Sequence, residues 1–214
     1  TIFSDYNTKT FGLETKGEKT WLFNTFSYGL NGSIAKTERP YRLDPVQTSY
    51  NSITPPEANS RTWTLGAYVE DNMSWNLSGH TFSVIPGVRV ASQNTKPQDL
   101  STLAGGDADL STGDVATLYN KSFSDTQILP SLVFQYDLTP KVMAYLQYKR
   151  GAQFPNASQL YGSWNLSSNY ASAYGAQYAL IGNSDLKTET SNNYEFGLKG
   201  EAVEGVTFSA STFY

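Results

Sequence analysis

The side chains with most potential for chemistry sit in polar text. In "NYASAYGAQY", Tyr170, Tyr174 and Tyr178 recur at a spacing of four. That spacing suits either a short helical turn with all three phenols on one side, or an irregular loop presenting one. As loop aromatics, such tyrosines stack and hydrogen-bond. "DADLSTGD" offers Asp107, Asp109, Ser111 and Asp114, but it lacks the sixth-position Gly and twelfth-position Glu of a calcium loop and reads as a flexible polar segment. "NLS" at Asn76 and at Asn165 fits a glycosylation triplet, which arises readily by chance in Asn- and Ser-rich text. His80 is the single histidine and falls in a short turn, where it is expected to be solvated. No Ser–His–Asp arrangement can form on the long loops with the imidazole at the other end. No carboxylate has the apolar surroundings that raise a pKa toward general-acid work. Cysteine is absent, which excludes disulfides and thiolate metal sites. The expectation is not an enzyme.

Composition narrows the classes further. The chain has 214 residues, with Tyr 15, Phe 11 and a charged fraction of 16%. Disordered chains have the opposite bias, poor in aromatics and rich in net charge. A net charge of -4 without any Lys/Arg run gives no nucleic-acid surface, so no nucleic-acid partner is expected. No apolar run approaches the roughly 20 residues of a membrane helix. "TIFSDYNTKT" has neither the basic start nor the apolar stretch of a signal peptide. A β-barrel crosses a membrane without either feature.

The elements that must carry these side chains are strands almost throughout. In "RTWTLGAYVEDNMSW", Trp63, Leu65, Ala67, Val69, Met73 and Trp75 share one face, interrupted only by Asp71, and Thr64, Gly66, Tyr68, Glu70, Asn72 and Ser74 share the other. A period of two is the strand signature, because successive side chains point to opposite faces. "TFSVIPGVRV", "SLVFQYDL" and "NYEFGLKG" alternate in the same way, whereas both faces carry aromatics around 22–34 and 142–148. Short turns are expected at Gly17–Thr20, Asn76–His80, Leu138–Lys141 and Ala202–Gly205. Long polar segments at Thr37–Arg61, Gln93–Asp125 and Gly151–Asp185 fall between them. Strict alternation of short and long connections puts all long loops at one end of a meander. A secreted β-sandwich alternates as well along its strands but has no reason to sort its loops by length. An outer-membrane barrel does sort them, with short periplasmic turns and long extracellular loops. Trp63, Trp75, Phe82, Tyr136 and Tyr148 near strand ends would form its interfacial girdles. The expected fold class is all-β, an antiparallel up-and-down transmembrane β-barrel, here about eight strands. Both ends of the sequence lie in strand-like text, so residues 1–214 are expected to be part of one barrel domain.

A resemblance sharpens this picture. Tyr68, Glu70 and Asp71, followed by Pro86, Gly87 and Arg89, resemble the "Y-x-Q-D" and "PG-x-R" strand pair of TonB-dependent outer-membrane receptors. Gln153, Phe154, Pro155 and Asn156 resemble a degenerate form of that family's "FRAP" box. "NSDLKTETSNNYEFGLKG", with Asn183, Ser184, Asp185 and Leu186, resembles its "NPxL" box, Ser184 standing where Pro is usual. The resemblance implies a barrel on the order of 22 strands, with a plug domain and further strands outside this sequence. It also implies the bacterial outer membrane, contact with outer-membrane lipid, and coupling to a TonB-type protein through a plug segment.

Within that family, a FRAP-like box, a long loop and an NPxL-like box are similar to the haem and haemoprotein receptors, in which a loop His or Tyr binds the iron. The loop 157–182 has no His, a departure that leaves Tyr170, Tyr174 and Tyr178 as the haem-iron candidates. A phenolate is a hard ligand that holds haem iron in some proteins, and the metal lowers the phenol pKa. The implied function is TonB-dependent uptake of haem or a haemoprotein through extracellular loops, haem being the transported ligand. The alternatives are a ferric-siderophore receptor of the same family, or a complete small structural or adhesive barrel.

Overall fold

A computed structural model describes residues 2–38, 41–43, 59–98, 121–165 and 179–214. Eight long strands form one antiparallel meander: β2 (Asn7–Trp21), β3 (Asn24–Glu38), β5 (Asn59–Leu77), β6 (His80–Gln98), β7 (Phe123–Thr139), β8 (Val142–Gln153), β11 (Glu189–Val203) and β12 (Val206–Phe213). Neighbours in the sheet follow chain order, from β2 at one edge to β12 at the other. Two short ladders extend the loop end: β1 (Ile2–Ser4) with β4 (Tyr41–Leu43), and β9 (Ser163–Asn165) with β10 (Ala179–Ile181). Among the described residues, one helix, α1 (Ala157–Tyr161), lies between β8 and β9. Among the described residues no helix is long and apolar enough to cross a membrane. The up-and-down antiparallel order and the placement of all three long connections at one end are as the alternation implied.

Three of the four expected turns lie where the sequence put them. Ser78 and Gly79 both take positive φ (54° and 88°), the backbone of a two-residue hairpin matched to strand twist. Gly205 at φ 83° closes the β11–β12 turn. The fourth expectation fails. "GEKT" is not a turn; β2 runs through it to Trp21, and the chain reverses at Leu22 (φ 56°). Gly17 has a different task, because a Cβ there would sit 2.7 Å from Cζ of Tyr28, whose ring lies over it on the neighbouring strand. Tyr68 covers Gly29 and Tyr145 covers Gly197 in the same manner.

The register divides the sheet into two chemically distinct faces. One carries Trp63, Val69, Val88 and Phe196, with Leu30, Ile128, Phe134 and Leu146. These side chains remain exposed, as a band meant to meet lipid must. The other face carries Ser33, Thr64, Gln93, Arg89, Gln127 and Glu195. At the loop end, the apolar band stops at Phe11, Ile34 and Trp63, which are in register across β2, β3 and β5. On β6 and β7 it stops at the pair Val90 and Ile128, and on β8 and β11 at Tyr148 and Tyr194. That boundary drops by about 26 Å across about 29 Å of sheet, an inclination of about 42° at ordinary strand spacing and rise. Closed barrels tilt their strands by about the same angle. A level membrane surface across tilted strands gives this staircase.

Candidate functional site

Beyond that boundary, residues 154–162 fold back over the polar face. The chain leaves β8 at Gln153, and Phe154 turns inward to meet Phe123 edge-on, ring centroids 6.3 Å apart. Pro155 is buried, and its carbonyl accepts from Nε2 of Gln93 at 3.0 Å. Asn156 then starts α1 with a full capping box. Its side chain accepts from the Gln159 amide, and the Gln159 side chain accepts from the Asn156 amide, both at 2.9 Å. Reciprocal capping makes so short a helix possible, because it satisfies amides that one turn cannot bond internally.

Helix α1 ends in the most deeply buried side chains described, Leu160 and Tyr161, both at 0% exposure. The Tyr161 hydroxyl lies 2.9 Å from the Lys121 carbonyl and 3.0 Å from that of Thr95, and it accepts from the Phe123 amide at 3.3 Å. One residue thereby ties α1 to the ends of β6 and β7. Burial pushes its phenol above the ordinary value, against a smaller lowering by the Phe123 amide.

The returning arm packs against this base. The Gly182 amide donates to Gly162 at 2.6 Å, and the Asn183 amide to Gln159 at 2.9 Å. A Cβ at Gly182 would lie 2.7 Å from the carbonyl carbon of Leu160, so only glycine allows the two arms this close. Asn183 caps its own turn by accepting from the Asp185 amide at 2.9 Å, and the Leu186 amide donates to the Asn183 carbonyl at 3.3 Å. Asp185 pairs with Lys121 at 2.9 Å, and the Thr188 hydroxyl donates to Asp125. Asp125 stands three residues beyond Ile128, outside the apolar band. Hydrogen bonds from Thr188, then Gln127 and the Thr126 amide, hold its carboxyl below the ordinary range.

The two sequence boxes, Gln153–Asn156 and Asn183–Leu186, are therefore brought together as the two feet of one loop, and α1 is the brace between them. Asn165 and Ala179 are register partners. Tyr170, Tyr174 and Tyr178 lie outside the described residues, as do Asp107, Asp109, Ser111 and Asp114. The sequence did not single out Tyr161, Gln93, Phe123, Asp125 or Thr188. The Asn156/Gln159 spacing was the available signal for the helix, and hence for Tyr161 at its end.

The polar face below the brace is a cradle. Tyr68, Glu70, Arg89, Ser131 and Lys149 border a depression of ≈ 540 Å³. The two strand-pair motifs face each other there: Tyr68 is opposite Arg89, and Glu70 opposite Gly87. Its cations and hydroxyls suit an anionic ligand. Among the described residues no group of three or more His, Asp or Glu could hold a metal. His80 differs from its expectation. It is half-buried at the turn end, its Nδ1 2.7 Å from the Asp137 carbonyl and its ring stacked on Tyr136. The aromatic neighbour, absent from any local reading, is what removes it from solvent.

A family model described as TonB dependent receptor-like, beta-barrel, matches residues 1–214. Among curated proteins, nothing matches the chain. Among solved structures, the ferric yersiniabactin uptake receptor FyuA from Yersinia pestis is similar at 18% identity and a TM-score of 0.45. That match covers 99% of this chain and 28% of the receptor, so the chain spans less than a third of the receptor's length.

Proposed function

The chain belongs to the TonB-dependent receptor-like β-barrel family, a family of bacterial outer-membrane transport receptors rather than enzymes, and from that premise we propose that it forms the ligand-gathering part of a haem-uptake receptor. In this reading the whole protein couples to a TonB-type partner through a plug segment. Residues 157–182 contact haem outside the membrane, with one of Tyr170, Tyr174 or Tyr178 on the iron. The supporting observation is the brace: Tyr161 and the Gly182–Gly162 contact pin both feet of this loop above the polar face. A loop held there projects over the cradle of Arg89 and Lys149, whose charges suit the carboxylates of an anionic iron compound.

Replacing each tyrosine with Phe in the intact receptor keeps the ring and removes the oxygen. Titration with ferric haem, followed in the visible spectrum, should show one variant losing the phenolate-to-iron charge-transfer band while remaining folded. Three variants with unchanged haem spectra exclude coordination by this loop. If the unaltered receptor takes up a ferric siderophore and no haem, the ligand is the siderophore and the transport reading stands.

A further inference from the structure

The wall of the sheet is interrupted between β7 and β8. Their ladder ends at Ser131 and Lys149. Both strands nevertheless continue, β7 back to Phe123 along β6 and β8 on to Gln153 along β11. The same register would next oppose Pro130 to Arg150, Leu129 to Gly151, Ile128 to Ala152 and Gln127 to Gln153. None of these four pairs forms, so a slot about 13 Å tall opens in the wall. On β7 it begins within the apolar band, whose limit there is Ile128, and on β8 just beyond Tyr148. Alternate residues of an antiparallel strand turn both backbone groups to the same neighbour. The Asp125 carbonyl accepts from the Ser92 hydroxyl on β6 at 3.3 Å, so the odd residues of β7 face β6 and the even ones face β8. Pro130 therefore faces the slot without an N–H to donate. The Thr126 amide faces β8 as well, and it donates to Oδ1 of its neighbour Asp125 at 2.8 Å in place of a partner strand.

The brace is what holds the slot open. Beyond Gln153 the chain does not follow the wall. Phe154 turns onto Phe123, and Pro155 reaches past β7 to β6, where its carbonyl accepts from Gln93 at 3.0 Å. Tyr161 fixes α1 on the same side through Lys121, Thr95 and Phe123. The end of β8 is thereby drawn inward, off the edge of β7. The open and zipped arrangements are closely matched in hydrogen bonds. Zipping the slot would form about three in the ladder, two between Ile128 and Ala152 and one from the Arg150 amide to Pro130. It would give up the Gln93 bond, together with the one donated and the one accepted by the Tyr161 hydroxyl. It would also bring Gly151 and Ala152 against Leu129 and Ile128, narrowing the ≈ 540 Å³ cradle that Leu129, Lys149 and Gly151 border. We infer that this seam is a two-state joint that sets the width of the cradle. With the brace engaged the slot is open and the cradle wide; with the brace released, β8 zips onto β7 and the cradle narrows. This regulation rests on the cradle as the ligand site and not on haem as the ligand.

Cysteine is absent from these 214 residues, so introduced pairs in the intact receptor report the seam directly. Ile128→Cys with Ala152→Cys would stand about 5.5 Å apart at Cα in the zipped register, a separation that a disulfide spans. Phe134→Cys with Leu146→Cys is the control, because those two residues are already partners lower on the same two strands. Under mild oxidation the control pair should close quickly and the Ile128/Ala152 pair slowly. Adding Tyr161→Phe should speed closure of the Ile128/Ala152 pair by about 5–150-fold, the loss of two hydrogen bonds converted at ordinary temperature, and leave the control unchanged. Ile128→Cys with Arg150→Cys, off register by two residues, should stay reduced and so separates zipping from general loosening. Coupling is reciprocal, so the closed Ile128/Ala152 disulfide should speed amide exchange at Gly182 and Asn183, and reduction should restore it. Migration as a folded barrel in unheated gels confirms that each variant has assembled. Closure of the Ile128/Ala152 pair as fast as the control, no closure even with Tyr161→Phe, or a rate that Tyr161→Phe does not alter overturns the joint. Equal closure of the off-register pair overturns it too, and a disulfide that leaves Gly182 and Asn183 unchanged overturns its coupling to the brace. The measurement needs no ligand, so its failure and that of the haem reading are separate.

Discussion

Tyr161→Phe isolates the brace from everything else the loop does. Phe fills the same buried space, so no cavity opens and Leu160 keeps its neighbour. The hydroxyl's bonds are lost: one donated to the Lys121 or Thr95 carbonyl and one accepted from the Phe123 amide. At about 0.5–1.5 kcal/mol net for each intramolecular hydrogen bond, the loss is about 1–3 kcal/mol. The eight-strand ladder is untouched, so the cost falls on local opening of the base rather than on the barrel. Amides that open with the base should exchange about 5–150-fold faster, the same energy converted at ordinary temperature. The Gly182 and Asn183 amides report this directly, because they bond across the two feet to Gly162 and Gln159. Amides of β5 and β6 near Val69 and Val88 serve as the internal standard. The measurement is hydrogen–deuterium exchange on the intact receptor, peptide by peptide. Unchanged exchange at Gly182 and Asn183, with assembly intact, would refute the assignment of Tyr161 as the brace.

The same base should fail at both ends of the pH scale. Tyr161 has a raised folded-state pKa, so its contribution is full below the unfolded value near 10 and is lost as pH rises through the folded one. Asp125 has a lowered one, so its contribution is present above the unfolded value near 4 and is lost as pH falls below it. Protection of the Asn183 amide, with the intrinsic pH dependence of exchange divided out, should therefore be greatest between these limits, and Tyr161→Phe should abolish its loss on the alkaline side. A second perturbation concerns Asp71, whose buried Oδ1 has no hydrogen-bond partner on the apolar face. Asp71→Leu should raise stability in lipid vesicles by about 1–3 kcal/mol, read as a higher urea midpoint; a lower midpoint would refute it.

Much of the fold was legible because one physical signal dominates it. A period of two shows which residues share a face, and Trp63, Val69, Val88 and Phe196 fall together for that reason. The sorting of connection lengths gave the end at which the loops emerge. What failed was local punctuation. Gly17 reads as a turn residue, but its role is fixed by Tyr28, eleven positions away across the hairpin. The site was legible only at its two feet, through boxes that are contiguous in sequence. The brace is built from Gln93, Phe123 and Tyr161, whose meeting depends on how three strand ends are stacked, and no local pattern encodes that.

The tyrosines laid over glycines have a bearing on how such a sheet assembles. A strand that slips by one residue exchanges its faces, putting polar side chains where lipid is expected, and polarity alone rejects it. A slip by two residues keeps every face correct and escapes that test. The three pairs do not let it through. Moving β5 by two would set Tyr68 against Ser27 or Asn31 instead of Gly29. The same shift sets Tyr145 against Glu195 or Lys199, and Tyr28 against Thr15 or Lys19. In each case a ring that lay flat over bare backbone would collide with a side chain. The glycines act as notches cut for particular rings, and they proofread the even-numbered errors that hydrophobicity cannot detect while strands are being added in the membrane.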